Sequence, residues 1–506
     1  MKNSTASFRL ATALAVATVL AFTGPAFAQD KPAARPSGEP REAGKSPGLG
    51  VLRLLPPDST TEHAIAIGKT TLAYTATAGT LAFYDQSGEQ SAAVFYTAYV
   101  AKGVATSRPI TFVFNGGPGA ASAYLHLGLV GPRLLDLGPD GRDAAHAELR
   151  DNPDTWLAFT DLVLIDPVGT GWSRAAKPDD AKNFWNVNAD AGAMAKAIAL
   201  YVAHNNRAAS PKYLLGESYG GLRAAKTARA LQREQGIVVS GIVMLSPLLE
   251  GWLTFGDDDS PLRAALQLPS LAAAALERNN NFSRDKLAEA EKFALTDYLV
   301  TLVGPPPQGD AAKSFYQRAA QISGLPVDLV AKRHGLLPGF VKDLRAADGK
   351  IVSRYDANFA ADDPFPEHRS GSGGDPILDG VTRAYGGAFA AYARSELGFK
   401  TDMTYALLAD VHWDWQGGRI AASSEEELRT LLAFGPSFRL LIAHGYSDMV
   451  TPYAMTRYLL DHMPPTDPPG RAQIKLYKGG HMIYLDPQSR KDFSADAAAF
   501  YRGRSD

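Results

Sequence analysis

The chain contains no cysteine. That excludes disulfides, thiolate metal sites, a lipidated cysteine anchor and a cysteine nucleophile, and a core of this length needs no covalent staple. A dominant charge sign is also missing. The formal net charge is -2 with 21% charged residues, and no basic run interleaved with aromatics appears, so nucleic acid is not an expected partner. No His-Glu-x-x-His or other metal-ligand spacing occurs, so neither a metal nor a cofactor is expected. No internal repeat is evident, and beyond Phe22 no apolar run is long enough to cross a bilayer.

What is present begins with an address. Lys2 and Arg9 precede a short apolar stretch from Leu10 to Phe22, Gly24-Pro25 breaks it, and Ala26-Phe27-Ala28 offers small residues to a signal peptidase. Residues 1–28 are read as a cleaved leader of bacterial type, with the mature protein periplasmic or secreted and free of the membrane. Residues 29–50 are rich in Ala, Pro, Gly and Lys and bury too little to offset their ordering entropy, so they read as a disordered linker.

From Glu62 to Val100 four β-rich runs alternate with Gly or Gln-Ser-Gly-Glu breaks, predicting antiparallel strands at 63–67, 71–77, 80–84 and 92–100. Ile110 to Phe114 and Leu162 to Ile165 are instead continuous apolar runs, the mark of strands buried on both faces. Helix-favouring stretches at 190–203 and 222–234 then alternate with strand-like ones at 212–215 and 237–245. The pattern predicts an α/β fold with a mostly parallel central sheet. Between about 250 and 430 the rhythm is lost among Ala-rich helical stretches, and it resumes at Phe438 and Ile474. The expected organisation is a core of residues 51–250 and 431–506, with 251–430 inserted as a helical cap.

Gly216-Glu217-Ser218-Tyr219-Gly220 is a Gly-x-Ser-x-Gly turn between an expected strand and an expected helix. Small residues on both sides allow the sharp turn that lifts the serine out of the sheet. A serine hydroxyl attacks only if a base takes its proton and a third group holds that base. In α/β-hydrolase order the acid follows the serine and the histidine comes last. The loops after two later strands supply Asp448 and His481 in that order. His444 precedes the acid, and His412 sits in an aromatic run, Val411 to Trp415, where a packing role is the simpler reading.

Other blocks carry a resemblance. Asn115-Gly-Gly-Pro-Gly-Ala-Ala-Ser122, Asp166-Pro-Val-Gly-Thr-Gly-Trp-Ser173, the Ser218 turn, Asp448-x-x-x-Pro452 and Gly480-His481 are similar, in order, to the blocks of the serine carboxypeptidases. The resemblance implies the α/β-hydrolase fold and a peptide substrate. It implies an oxyanion hole from the amides of Gly117 and Tyr219, and recognition of a substrate's terminal carboxylate by Asn115 and Glu217 with Gly116. Three departures stand out. Ala120 occupies a family cysteine position, Gln is missing after Asp166, and Leu129 stands where the family carries a second Glu that shares a proton with the first. Glu217 donates only when protonated, so an apolar neighbour would have to raise its pKa by desolvation. A serine carboxypeptidase acting through an acyl-enzyme is the expected function. An esterase or acyltransferase using the same triad, or a non-catalytic binding protein on the same scaffold, remains an alternative.

Overall fold

The computed structural model describes residues 50–105, 107–138, 141–368 and 374–503. The expected leader, and the linker apart from Gly50, lie outside the described residues. Among the described residues the apolar runs form the middle of a ten-stranded sheet. In chain order its principal strands are β1 (Ser59–Ile67), β2 (Thr70–Tyr84), β3 (Gln90–Ala101), β4 (Ile110–Phe114), β5 (Asp161–Ile165), β6 (Lys212–Glu217), β7 (Gly241–Leu245), β8 (Arg439–Gly445) and β9 (Ala472–Tyr477). They lie side by side as β1-β2-β3-β5-β4-β6-β7-β8-β9, with the short strand Arg174–Ala175 on β3. The pairings from β1 to β5 are antiparallel and the remainder parallel.

Every residue of β4, β5 and β7 is buried, because the two-residue side-chain period divides each run between two covered faces. Phe112, Val163, Ile165, Ile242 and Met244 pack towards helices α1 (Val187–His204) and α2 (Tyr219–Glu234). Val113, Leu162, Leu164, Val243 and Leu245 pack on the opposite side with Tyr385, Phe389, Phe493 and Phe500. This double cover makes the runs continuous in sequence. β2 departs from expectation, since the runs 71–77 and 80–84 are one strand passing straight through Gly79. A Cβ at Gly79 would strike the Asp58 carboxylate, which accepts from Thr80 N at 2.9 Å. This glycine marks a close approach and not a turn.

The stretch 251–430 divides by packing. Helix α3 (Pro261–Arg278) and the helical segments that follow it bury Leu268, Leu271, Tyr298, Ala319 and Val330 in a cluster of their own. Residues 377–407, including helix α4 (Ala384–Ser395), bury Ile377, Phe389, Phe399 and Leu407 in the main core. Helix α5 (Glu425–Phe434) packs on the α1–α2 face through Leu428, Leu431 and Leu432. Among the described residues no helix is long and apolar enough to cross a membrane.

Candidate active site

The glycines around Ser218 are required by contact. A Cβ on Gly216 would run into the Gly220 carbonyl, and one on Gly220 would lie 2.8 Å from the Phe114 carbonyl oxygen. With that space clear, the chain reverses at Ser218 with φ 61° and ψ −126°, a conformation that costs about 1–3 kcal/mol in a non-glycine residue. Two hydrogen bonds tie the turn to the end of β7: Ser218 N donates to Leu245 O at 3.0 Å, and Leu248 N donates to Ser218 O at 2.9 Å. The strain is thus held by the sheet beneath it.

Asp448 and His481 follow β8 and β9, whose ends are parallel neighbours. Asp448 Oδ1 accepts from Val450 N at 2.8 Å and Thr451 N at 3.0 Å. Its Oδ2 accepts from Thr451 Oγ1 at 2.9 Å and lies 2.9 Å from His481 Nδ1. A carboxylate only accepts, so Nδ1 carries the proton and Nε2 presents its lone pair. Among the described residues that Nε2 has no hydrogen-bond partner, and His481 borders the same cavity of about 130 Å³ as Ser218. Burial pushes the Asp448 pKa up, but the His481 charge and hydrogen bond outweigh it and hold the carboxyl below its usual range. For His481 burial acts downward, and the Asp448 charge and hydrogen bond reverse it to a net rise. The loop around Tyr355 braces both residues. Ala357 N donates to Ser447 O at 3.0 Å and Met449 N to Arg354 O at 3.1 Å, while the Tyr355 carbonyl accepts from His481 N.

Asn115 and Glu217 line the same cavity. Asn115 Oδ1 accepts from Leu125 N at 3.1 Å, and its Nδ2 donates to Glu217 Oε2. The buried Arg223, paired with Asp190 at 2.7 Å, donates to the Asn115 carbonyl from below. Glu217 is 2% exposed. Burial raises its pKa to about 7, against the His481 charge and hydrogen bonds from Tyr484 and Asn115. Gly116 packs so closely on the serine turn that a Cβ there would lie 2.6 Å from Tyr219 N. Gly117, at φ 100°, and Tyr219 both line the cavity.

Residues 71–244 match the family model described as serine carboxypeptidase. Over that span the chain is similar to the serine carboxypeptidase family. The match includes the Asn115 block, the Asp166 block and Ser218, whereas Asp448 and His481 lie beyond it. Retinoid-inducible serine carboxypeptidase of Rattus norvegicus is 27% identical over 232 residues, 44% of this chain and 43% of the rat protein. The pheromone-processing carboxypeptidase of Yarrowia lipolytica is 28% identical over 151 residues, 29% of this chain and 22% of that protein. The matched stretch thus spans less than half of these curated relatives. In structure, a prohormone-processing carboxypeptidase of Saccharomyces cerevisiae superposes with a TM-score of 0.50 at 14% identity, covering 85% of this chain and 91% of that one. That likeness concerns the fold, the α/β-hydrolase architecture.

Other blocks that resemble those of the serine carboxypeptidases serve as scaffold. The Asp166 carboxylate accepts from Ser122 N at 2.8 Å and Tyr405 OH at 3.3 Å, and burial raises its pKa to about 6. Ser173 Oγ donates to the Asp166 carbonyl at 2.6 Å and accepts from Phe95 N at 2.7 Å, so the two glycine-rich blocks are stitched to β3. His444 sits against Thr456 Oγ1 at 2.8 Å, with Nδ1 4.0 Å from Asp448, and burial lowers its pKa to about 4. His412 is exposed, while its neighbours Trp413 and Trp415 stand edge-on to Tyr219 at 5.1 and 5.6 Å. Leu129, at the position of the family's second Glu, is fully buried.

Sequence reasoning named no residue of 251–430 in the site, yet Thr254, Phe255, Tyr355, Leu378 and Leu408 line the cavity. It also missed Tyr484, whose only sequence signal is its place three residues after His481. Tyr355 and Met482 also border a neighbouring cavity of about 460 Å³. Among the described residues no group of three or more His, Cys, Asp or Glu side chains is placed to hold a metal.

Proposed function

We propose that this protein is a serine-type carboxypeptidase that releases the last residue of a peptide through an acyl-enzyme on Ser218. The observation that carries the reading is the Asn115–Glu217 couple, buried in the same small cavity as Ser218 and His481. Its carboxyl holds its proton up to about pH 7. A protonated carboxyl and an amide N–H together donate to a substrate's terminal carboxylate, which an ionised Glu217 would repel.

In this reading Ser218 Oγ attacks the last peptide carbonyl while His481 Nε2 takes its proton. Asp448 stabilises the imidazolium, and the amides of Gly117 and Tyr219 receive the oxyanion. His481 then hands the proton to the leaving amine of the terminal residue, which departs held by Asn115, Gly116 and Glu217. Water, activated by the same histidine, hydrolyses the acyl-enzyme. The two ends of the cavity make opposite demands, since His481 must be neutral and Glu217 protonated. Activity therefore falls at low pH as His481 is charged, and KM rises as pH passes through about 7.

The test is a blocked dipeptide offered with a free or an amidated C-terminus close to pH 7, where neutral His481 and protonated Glu217 coexist. The free acid should be cut with much the higher kcat/KM; equal rates would turn the reading to an esterase or acyltransferase. Peptides are thus the proposed substrate. The leader-like residues 1–28 support export to the periplasm or the medium, with a mature N-terminus at Gln29.

A further inference from the structure

Glu217 faces an unusual wall. Tyr124, Tyr355, Tyr385 and Tyr484 all lie close enough to sense its charge, alongside His481, Asp448 and Asn115. Of these tyrosines Tyr484 reaches it directly, its hydroxyl donating at 3.2 and 3.3 Å to the two carboxyl oxygens. The ring is 2% exposed and rests on Gly128, where a Cβ would lie 2.6 Å from ring carbon Cε2. Gly128 and the apolar Leu129 therefore leave room for a phenol and offer no carboxyl.

We propose that Tyr484 is a positioning residue for Glu217, a neutral donor that fixes the orientation of its carboxyl and sets the pH at which it stops receiving a peptide's terminal carboxylate. The inference rests on the carboxypeptidase reading. Its physical content is a sign. A second carboxyl beside Glu217 would raise the pKa by like-charge repulsion, whereas a phenol O–H favours the ionised form and lowers it. Burial holds Tyr484 itself neutral, its pKa raised well above the usual value, so it remains a donor throughout the working range. Tyr484 thus restrains the rise that burial imposes on Glu217, and the recognition site closes at a lower pH than an unassisted buried carboxyl would give.

The experiment measures kcat and KM against pH for the full-length protein and for Tyr484→Phe, on a blocked dipeptide with a free C-terminus and on its amide. In the variant the pH at which KM for the free acid rises should move upward by about one unit, the scale of one lost hydrogen bond to a charged group. The limb of kcat set by His481 should stay in place. Gly128→Ala, which displaces the ring while leaving every donor and acceptor in the chain, should move the KM limb the same way, and thermal melts establish that each variant is folded. A KM limb that stays put or moves downward in folded Tyr484→Phe overturns the role of Tyr484. A wild-type protein that cuts the amide as fast as the acid overturns the carboxypeptidase reading and this inference with it.

Discussion

Two carboxyls of the site, Asp448 beneath His481 in the hydrogen-bond chain and Glu217 in the cavity lining, are equally hidden from water, at 0% and 2% exposure. Both sense the charge of His481, yet one is held below its usual range and the other is raised to about 7. The difference lies in what each is given in exchange for water. Asp448 receives two backbone amides, a hydroxyl and an imidazole N–H. Glu217 receives an amide from Asn115 and the phenol of Tyr484. Burial alone favours the neutral acid in both places, and only enough donors on one group reverse it. In the proposed mechanism, opposed charge states of this kind suit one carboxyl to holding a cation and the other to donating a proton.

The largest effect should come from breaking the ionised side. Asp448→Asn leaves the shape of the loop but presents an amide to Nδ1, so His481 loses the tautomer with a free Nε2 lone pair. The expected loss in kcat is on the order of 10⁴-fold, with KM little changed. Steady-state kinetics on a folded variant checks it, and a loss of tenfold or less would mean that Asp448 is not the group orienting the base.

The neutral side should speak through stability. Glu217 is raised in the fold from its ordinary 4.5 to about 7, so its contribution is fully present below pH 4.5 and is lost as pH rises through about 7. Relative to Glu217→Gln, which cannot ionise, the wild-type protein should lose about 3 kcal/mol of unfolding free energy between pH 4 and pH 8. Paired urea melts at the two pH values measure it. A difference that stays constant would place Glu217 ionised throughout, and the comparison with Asp448 would collapse.

Which parts of this arrangement the sequence announces follows from how local each cause is. Val163 and its neighbours read as a doubly covered strand because alternate side chains of one short run face two different layers. Gly216 and Gly220 announce the serine turn because the crowding that requires glycine lies within a few residues and one neighbouring strand. Asp448 and His481 follow from their places after two strands, although the loop around Tyr355 that braces them lies about a hundred residues away in the chain. The reading fails where the cause is distant. Gly79 imitates a break because the Asp58 carboxylate that fills its space comes from another segment. The region 251–430 loses rhythm because α4 is shaped by the main core while α3 is shaped by its own cluster. Tyr484 and Phe255 carry no motif at all, since an aromatic reaching a site through tertiary packing has no required spacing.

The most direct measurement is the infrared difference spectrum of the wild-type protein against Glu217→Gln as pH is raised. At pH 5.5 the wild type should show the carbonyl stretch of a protonated, buried carboxylic acid that the variant lacks. That band should give way to carboxylate absorption around pH 7, where the pKa of Glu217 stands. If no such band appears at pH 5.5, Glu217 is already ionised, the two carboxyls of the site are alike in charge, and the account of carboxylate recognition is contradicted.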